Sequence, residues 1–111
     1  FTTETRKLML NEIFSETTNI SIKTFEGLLV DFAKVSGVKA IVKGLRVMTD
    51  FDYEFQMAQM NSNLADFETI FIPASPEYGY VSSSMVKEID SYGGDVSKLV
   101  PSNVLKRMRD V

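Results

Sequence analysis

The chain contains no cysteine, no histidine and no tryptophan. Without cysteine there is no disulfide framework, no zinc ribbon and no thiol nucleophile. Without histidine a metal would rely on carboxylates, carbonyls and a bound phosphate, a donor set that suits magnesium rather than zinc. Long apolar runs are missing too: none approaches the ~18 residues of a membrane span, and no basic-then-apolar leader opens the chain. The sequence therefore reads as soluble, with the cytoplasm as default compartment and no membrane partner. Positive charge is not in excess either, since 15 acidic residues against 12 basic ones give a net charge of −3. That balance speaks against a broad nucleic-acid footprint, because phosphate backbones are met by clustered Lys and Arg. Any anionic ligand must be caught locally.

What remains is enough for one core: 111 residues, 44% of them hydrophobic, suit a single domain over 1–111, or part of one, rather than two. The apolar period alternates along the chain. Thr2 to Phe14 reads as a helix capped by Thr2 or Thr3. Asn19 to Phe25 alternates as a strand, with Ile20, Ile22 and Thr24 on one side. Leu28 to Ser36 reads as a helix ending at Gly37, and Val38 to Val42 as a strand covered on both faces and stopped by Lys43 and Gly44. Thr49 and Asp50 offer caps for a helix reaching about Leu64. Phe67 to Pro73 is a second buried-looking strand. Ser84 to Tyr92 is a helix stopped by Gly93-Gly94, and Ser102 to Val111 a last amphipathic helix. Strand and helix in alternation imply α/β architecture, a parallel sheet with helices on both faces.

Two short segments carry chemistry. Lys43-Gly44-Leu45-Arg46 delivers two cations to the carboxyl end of an apolar strand, where open α/β sheets bind phosphorylated ligands, and Gly44 lets backbone approach closely. Two ordinary surface cations would look the same. Ser82-Ser83-Ser84, after Tyr78-Gly79-Tyr80-Val81, opens a helix with hydroxyls and free N–H groups at its positive end, charge-matched to a phosphate. One serine suffices for an N-cap; three exceed that need. Together the segments point to a nucleotide. On the helix from Asp50, Phe51, Phe55 and Ala58 form one stripe and Tyr53, Met57, Met60 and Leu64 another. Two stripes fit a fully buried helix, an oligomer interface or the wall of a flexible apolar ligand. Glu54, in the first turn, would stabilise the helix dipole without any further task.

Taken together, these segments resemble the bacterial phosphopantetheine adenylyltransferase family, nucleotidyltransferases of Rossmann-like fold. The resemblance is carried by Phe1-Thr2 with Arg6, Leu29-Val30-Asp31-Phe32-Ala33, Ala40-Ile41-Val42-Lys43-Gly44-Leu45-Arg46 and Asp50-Phe51-Asp52-Tyr53-Glu54 with Gln56-Met57-Ala58. It continues through Met60-Asn61, Tyr80-Val81-Ser82-Ser83-Ser84, Val86-Lys87-Glu88 and Gly93-Gly94-Asp95-Val96, and so covers essentially the whole chain in order. It implies transfer of AMP from ATP to 4′-phosphopantetheine, giving dephospho-coenzyme A and pyrophosphate, with magnesium and no covalent enzyme intermediate. By the same resemblance, Lys43 holds the pantetheine phosphate. Gly44, Leu45 and Arg46 bind ATP, with Arg46 on the polyphosphate. Glu54 contacts ATP. Tyr78, Gly79, Tyr80, Val81, Ser82, Ser83 and Ser84 form a second ATP segment whose serines meet the β- and γ-phosphates. Leu29, Met60 and Asn61 line the pantetheine arm, which turns part of the second helical stripe into a substrate wall. Gly79 stands where the family usually carries Ser or Ala, and Tyr80 where it carries Phe. A homo-hexamer and feedback inhibition by coenzyme A are further implications.

The family opens with a strand, a T/H-x-G-H turn and a helix, and the turn histidine is credited with stabilising the transition state. With no histidine here, the chain is expected to be the later segment of the adenylyltransferase domain, lacking the first βαβ portion. It would then hold no catalytic residue and no metal ligand, and would not catalyse alone. Two other functions fit the same residues: another nucleotidyltransferase, such as one acting on nicotinamide mononucleotide, and a non-catalytic nucleotide- or coenzyme-binding module.

Overall fold

Thr2 caps the first helix, its hydroxyl accepting from the Thr5 backbone N–H at 3.1 Å and satisfying an amide that the first turn leaves unpaired. The computed structural model describes residues 1–110. In chain order they form α1 (Thr3–Ile13), α2 (Leu29–Val35), β1 (Ala40–Leu45), α3 (Phe51–Leu64), β2 (Glu68–Pro73), α4 (Ser83–Ser91) and α5 (Ser102–Arg109). The helix expected to reach Val111 is α5, and Val111 itself lies outside the described residues. Helices alternate with two parallel strands, so the fold is α/β. The described residues divide into two compact units, one of Phe1–Thr24 with the chain from Ser82 onward, the other of Phe25–Val81.

In the unit Phe25–Val81, the β1–β2 ladder pairs Ala40 with Glu68 through to Leu45 with Pro73. Side chains alternate across a strand, so Ile41, Lys43 and Leu45 share a face with Thr69 and Phe71. The helices meet that face. Val30 and Ala33 of α2, Ala65 at the end of α3 and Phe67 form a buried cluster onto which Val38 and Ile41 pack. Phe51 of α3 meets Phe71 edge-on, with ring centroids 5.6 Å apart. The opposite face leaves Val42, Ile70 and Ile72 exposed.

Three features of the fold differ from expectation. Neither strand is covered on both faces within this unit, because an unbroken apolar run reports hydrophobicity without reporting whether a second layer lies beyond it. Next, β1 does not stop at Val42. Lys43 and Gly44 pair with Phe71 and Ile72 inside the ladder, and Gly44 needs no left-handed backbone. Finally, Asn19 to Phe25 is not a strand. Alternation qualifies a segment for a sheet, but a strand exists only where a neighbour takes its backbone hydrogen bonds. The only ladder among the described residues is β1–β2. Phe25 stacks instead on Phe32 of α2, centroids 4.8 Å apart.

Asp50 caps α3, its Oδ1 accepting from the Tyr53 N–H at 3.1 Å. The helix is not fully buried, and its inner face shares only Ala58 and the Phe51 contact on Phe71 with the first expected stripe and nothing with the second. Glu54, Ala58, Asn61 and Ala65 recur at helical spacing, and they are the half-buried and buried positions. Tyr53, Met57, Met60 and Leu64 remain exposed, as do Phe51 and Phe55. A small and polar sector can face inward here because Lys43 supplies Glu54 with a partner, which removes the penalty of half-burying a carboxylate.

In the unit of the two chain ends, α1 and α5 are joined through Glu12. Arg107 donates to both carboxylate oxygens, at 2.7 and 3.3 Å, and Asn103 Nδ2 donates to Glu12 Oε1 at 3.2 Å and to the Met9 carbonyl at 3.1 Å. The side-chain hydrogen bonds from Arg107 and then Asn103 hold the Glu12 carboxyl below its ordinary range. A carboxyl whose native pKa is depressed stabilises the fold fully above its unfolded pKa, and that contribution fades as pH falls through the native value. In urea unfolding, Glu12→Gln is therefore expected to be slightly less stable than the parent at neutral pH. The difference should vanish on acidification below the ordinary carboxylate range. The effect is small because the pair is solvent-exposed. In the same unit α4 ends where Gly93 takes a φ of 82°, a conformation that favours glycine.

Candidate functional site

Lys43 lies on the inner face of β1, and Glu54 faces it from the first turns of α3. Its Nζ donates to Glu54 Oε2 at 2.8 Å, with the two side chains 37% and 22% exposed. Part-exposed pairs contribute little to stability. This one fixes where a cation sits while leaving two of its three N–H donors available.

Just past the strand, Arg46 begins a turn that is tied down at nearly every polar atom. Ala74 N–H donates to the Leu45 carbonyl at 2.7 Å, Arg46 N–H donates to Thr49 Oγ1 at 2.9 Å, Thr49 N–H donates back to the Arg46 carbonyl at 3.0 Å, and Val47 N–H donates to the Gly79 carbonyl at 2.9 Å. The guanidinium donates from Nη1 to the Val81 carbonyl at 2.7 Å, which leaves most of its fork free for an anion. Gly79 is buried, and a Cβ there would lie 3.3 Å from the Ser75 carbonyl oxygen, so its lack of a side chain lets the segment close tightly. Tyr78 and Tyr80 flank it and are exposed. Lys43, Gly44, Leu45, Arg46, Glu54 and Tyr78 to Val81 are thus brought together around one end of the ladder. Lys43 points inward to Glu54, whereas Arg46 is exposed.

The serine segment opens α4. Ser82 is the cap: its Oγ accepts from the Met85 N–H at 3.2 Å and lies 3.5 Å from Ser84 Oγ. Ser82 is buried, and Ser83 and Ser84 are exposed. The modest reading of one serine as a cap therefore belongs to Ser82, and two hydroxyls exceed it. No acidic side chain occupies the first turn of α4, so its positive end is left uncompensated.

The expected arm-binding residues differ in burial. Leu29 is half-buried at the start of α2. Asn61 is buried on the inner sector of α3, two turns beyond Glu54 and about 10 Å along the axis. Met60 sits beside it on the exposed flank. Thr49 is the residue whose role sequence reading missed: it reads there as a rival N-cap to Asp50, but the structure gives the cap to Asp50 and the Thr49 hydroxyl to Arg46. Among the described residues, no three His, Cys, Asp or Glu side chains converge as a metal cage, and no helix is long and apolar enough to cross a membrane.

A parallel ladder ending in a braced arginine and a lysine suits a protein that handles phosphates, and residues 1–89 match the family model described as cytidylyltransferase-like. The chain is accordingly a nucleotidyltransferase of that class. It is 49% identical over 110 residues to a phosphopantetheine adenylyltransferase of Streptomyces coelicolor, covering 99% of this chain and 69% of the relative. A phosphopantetheine adenylyltransferase of Frankia alni is 54% identical over 92 residues, 83% of this chain and 57% of its own length. One of Frankia casuarinae is 47% identical over 114 residues, 99% and 70% respectively. The chain belongs to the phosphopantetheine adenylyltransferase family.

Proposed function

We propose that the protein transfers AMP from ATP to 4′-phosphopantetheine. A phosphate oxygen of the acceptor forms a bond to the α-phosphorus of ATP, the bond from that phosphorus to the bridging oxygen breaks, and pyrophosphate leaves with the electron pair. Dephospho-coenzyme A is the product. The observation that carries this reading is the separation of two fixed cations at one strand end: Lys43 faces inward on Glu54, and Arg46 is braced outside the strand on Val81. Two cations held apart in this way suit two phosphorylated substrates, and such chemistry asks the protein chiefly for positioning and charge neutralisation.

In this reading Lys43 takes the acceptor phosphate, and Arg46, with the backbone of Gly44 and Leu45, takes the polyphosphate of ATP. Glu54 contacts ATP and also orients Lys43. Tyr78, Gly79, Tyr80 and Val81 with Ser82, Ser83 and Ser84 form the second ATP segment, and the exposed serine hydroxyls take the β- and γ-phosphates. Leu29, Met60 and Asn61 line the pantetheine arm. Magnesium would arrive on the ATP phosphates, because this ion keeps water and binds through substrate phosphates. When bound it would neutralise charge on the leaving pyrophosphate. A cytoplasmic location, assembly as a homo-hexamer and binding of coenzyme A belong to the same proposal.

Pyrophosphate release by the full-length protein tests it. Release is expected with ATP and 4′-phosphopantetheine and not with ATP and nicotinamide mononucleotide. The reverse preference would establish the related adenylyltransferase instead. Calorimetric binding of ATP without turnover of either acceptor would establish a coenzyme-binding module.

A further inference from the structure

We propose that Thr49 is a positioning residue for Arg46, holding the arginine in the conformation that receives the polyphosphate of ATP; this rests on the function proposed above. The hydroxyl of Thr49 accepts from the Arg46 N–H at 2.9 Å while its own N–H donates to the Arg46 carbonyl at 3.0 Å, so one residue closes on both polar ends of Arg46. Helix α3 does not need that hydroxyl, because Asp50 supplies the cap. Nor does burial require it. Arg46 is exposed, and in an exposed turn water satisfies backbone amides nearly as well as a protein group.

Those bonds make a rigid base for a long side chain. The Leu45 carbonyl, the Arg46 N–H and carbonyl and the Val47 N–H are all paired within the protein, and the guanidinium is held at its far end by the Val81 carbonyl. A free arginine surrenders much rotamer freedom when it grips an anion, whereas one fixed at both ends has already surrendered most of it. Thr49 is the one part of this brace made by a removable side chain. Valine keeps its shape and removes the acceptor; serine keeps the acceptor.

The test uses the full-length protein, with ATP affinity from calorimetry, separate KM values for ATP and 4′-phosphopantetheine, and thermal midpoints. Thr49→Val is expected to weaken ATP by about 5- to 10-fold, the scale of one lost hydrogen bond, with the acceptor KM unchanged. Thr49→Ser is expected to restore ATP affinity to within about two-fold of the parent. Thr49→Ala provides a second removal should valine impair folding. Parent-like ATP affinity in both Thr49→Val and Thr49→Ala, beside a weakened Arg46→Ala, would overturn the positioning role alone. So would equal losses for both substrates that track a fall in thermal midpoint. Unchanged ATP affinity in Arg46→Ala would instead overturn the polyphosphate assignment on which the inference stands.

Discussion

Arg46→Ala is expected to lower kcat/KM for ATP by about 10²-fold or more in the full-length protein, on the scale of losing one preorganised charge contact. The guanidinium is already oriented by the Val81 carbonyl at 2.7 Å, with its backbone fixed through Thr49. What alanine removes is therefore a charge in place, with little reorganisation left to offset the loss. Arg46 is also exposed, so the substitution empties no core and should leave thermal stability close to the parent's. Steady-state kinetics decide the matter: a parent-like kcat/KM would take Arg46 out of the site. Lysine in its place should recover only part of the loss, because an ammonium cannot hold Val81 and present a planar fork together.

Lys43→Ala is expected to reduce kcat/KM for 4′-phosphopantetheine by about 10²- to 10³-fold while changing the KM for ATP far less. Two effects add. The ammonium that would receive the acceptor phosphate is lost, and the Glu54 carboxylate, 2.8 Å away in the parent, is left to repel the incoming anion. The second effect makes the prediction specific. Adding Glu54→Gln to Lys43→Ala should recover part of the activity by removing that repulsion, whereas independent residues would give additive losses. A double variant as impaired as the product of the two single changes would show that Glu54 does not act through Lys43.

The parts of the fold legible in the sequence are those written in local chemistry. Thr2, Asp50 and Ser82 each cap a helix through an acceptor reaching an amide three residues on, and Gly37 and Gly93 end helices at positive φ. Such signals need no knowledge of the rest of the chain. The expected strand from Asn19 to Phe25 failed because a ladder is a relation between distant segments, and alternation describes only one party to it. The inner face of α3 was missed for a related reason: Glu54 turns inward beside a partner, Lys43, eleven residues away, and the apolar period of the helix reports nothing of that partner. In the site, the residue types were readable and their partners were not. Nothing in the sequence joins Arg46 to a carbonyl 35 positions on. The role of Thr49 is short-range, but Asp50 beside it offers an equally good cap, and composition does not choose between them.

Because α3 is seated through a narrow wedge of small and polar groups, its two sides answer to different demands. Changes at Ala58 or Asn61 alter how the helix meets its own sheet, while Met57, Met60 and Leu64 stand clear of that seat. Substitutions on the outer flanks are therefore expected to leave the segment that carries Glu54 seated, and one rod of fourteen residues presents two surfaces that can be altered separately.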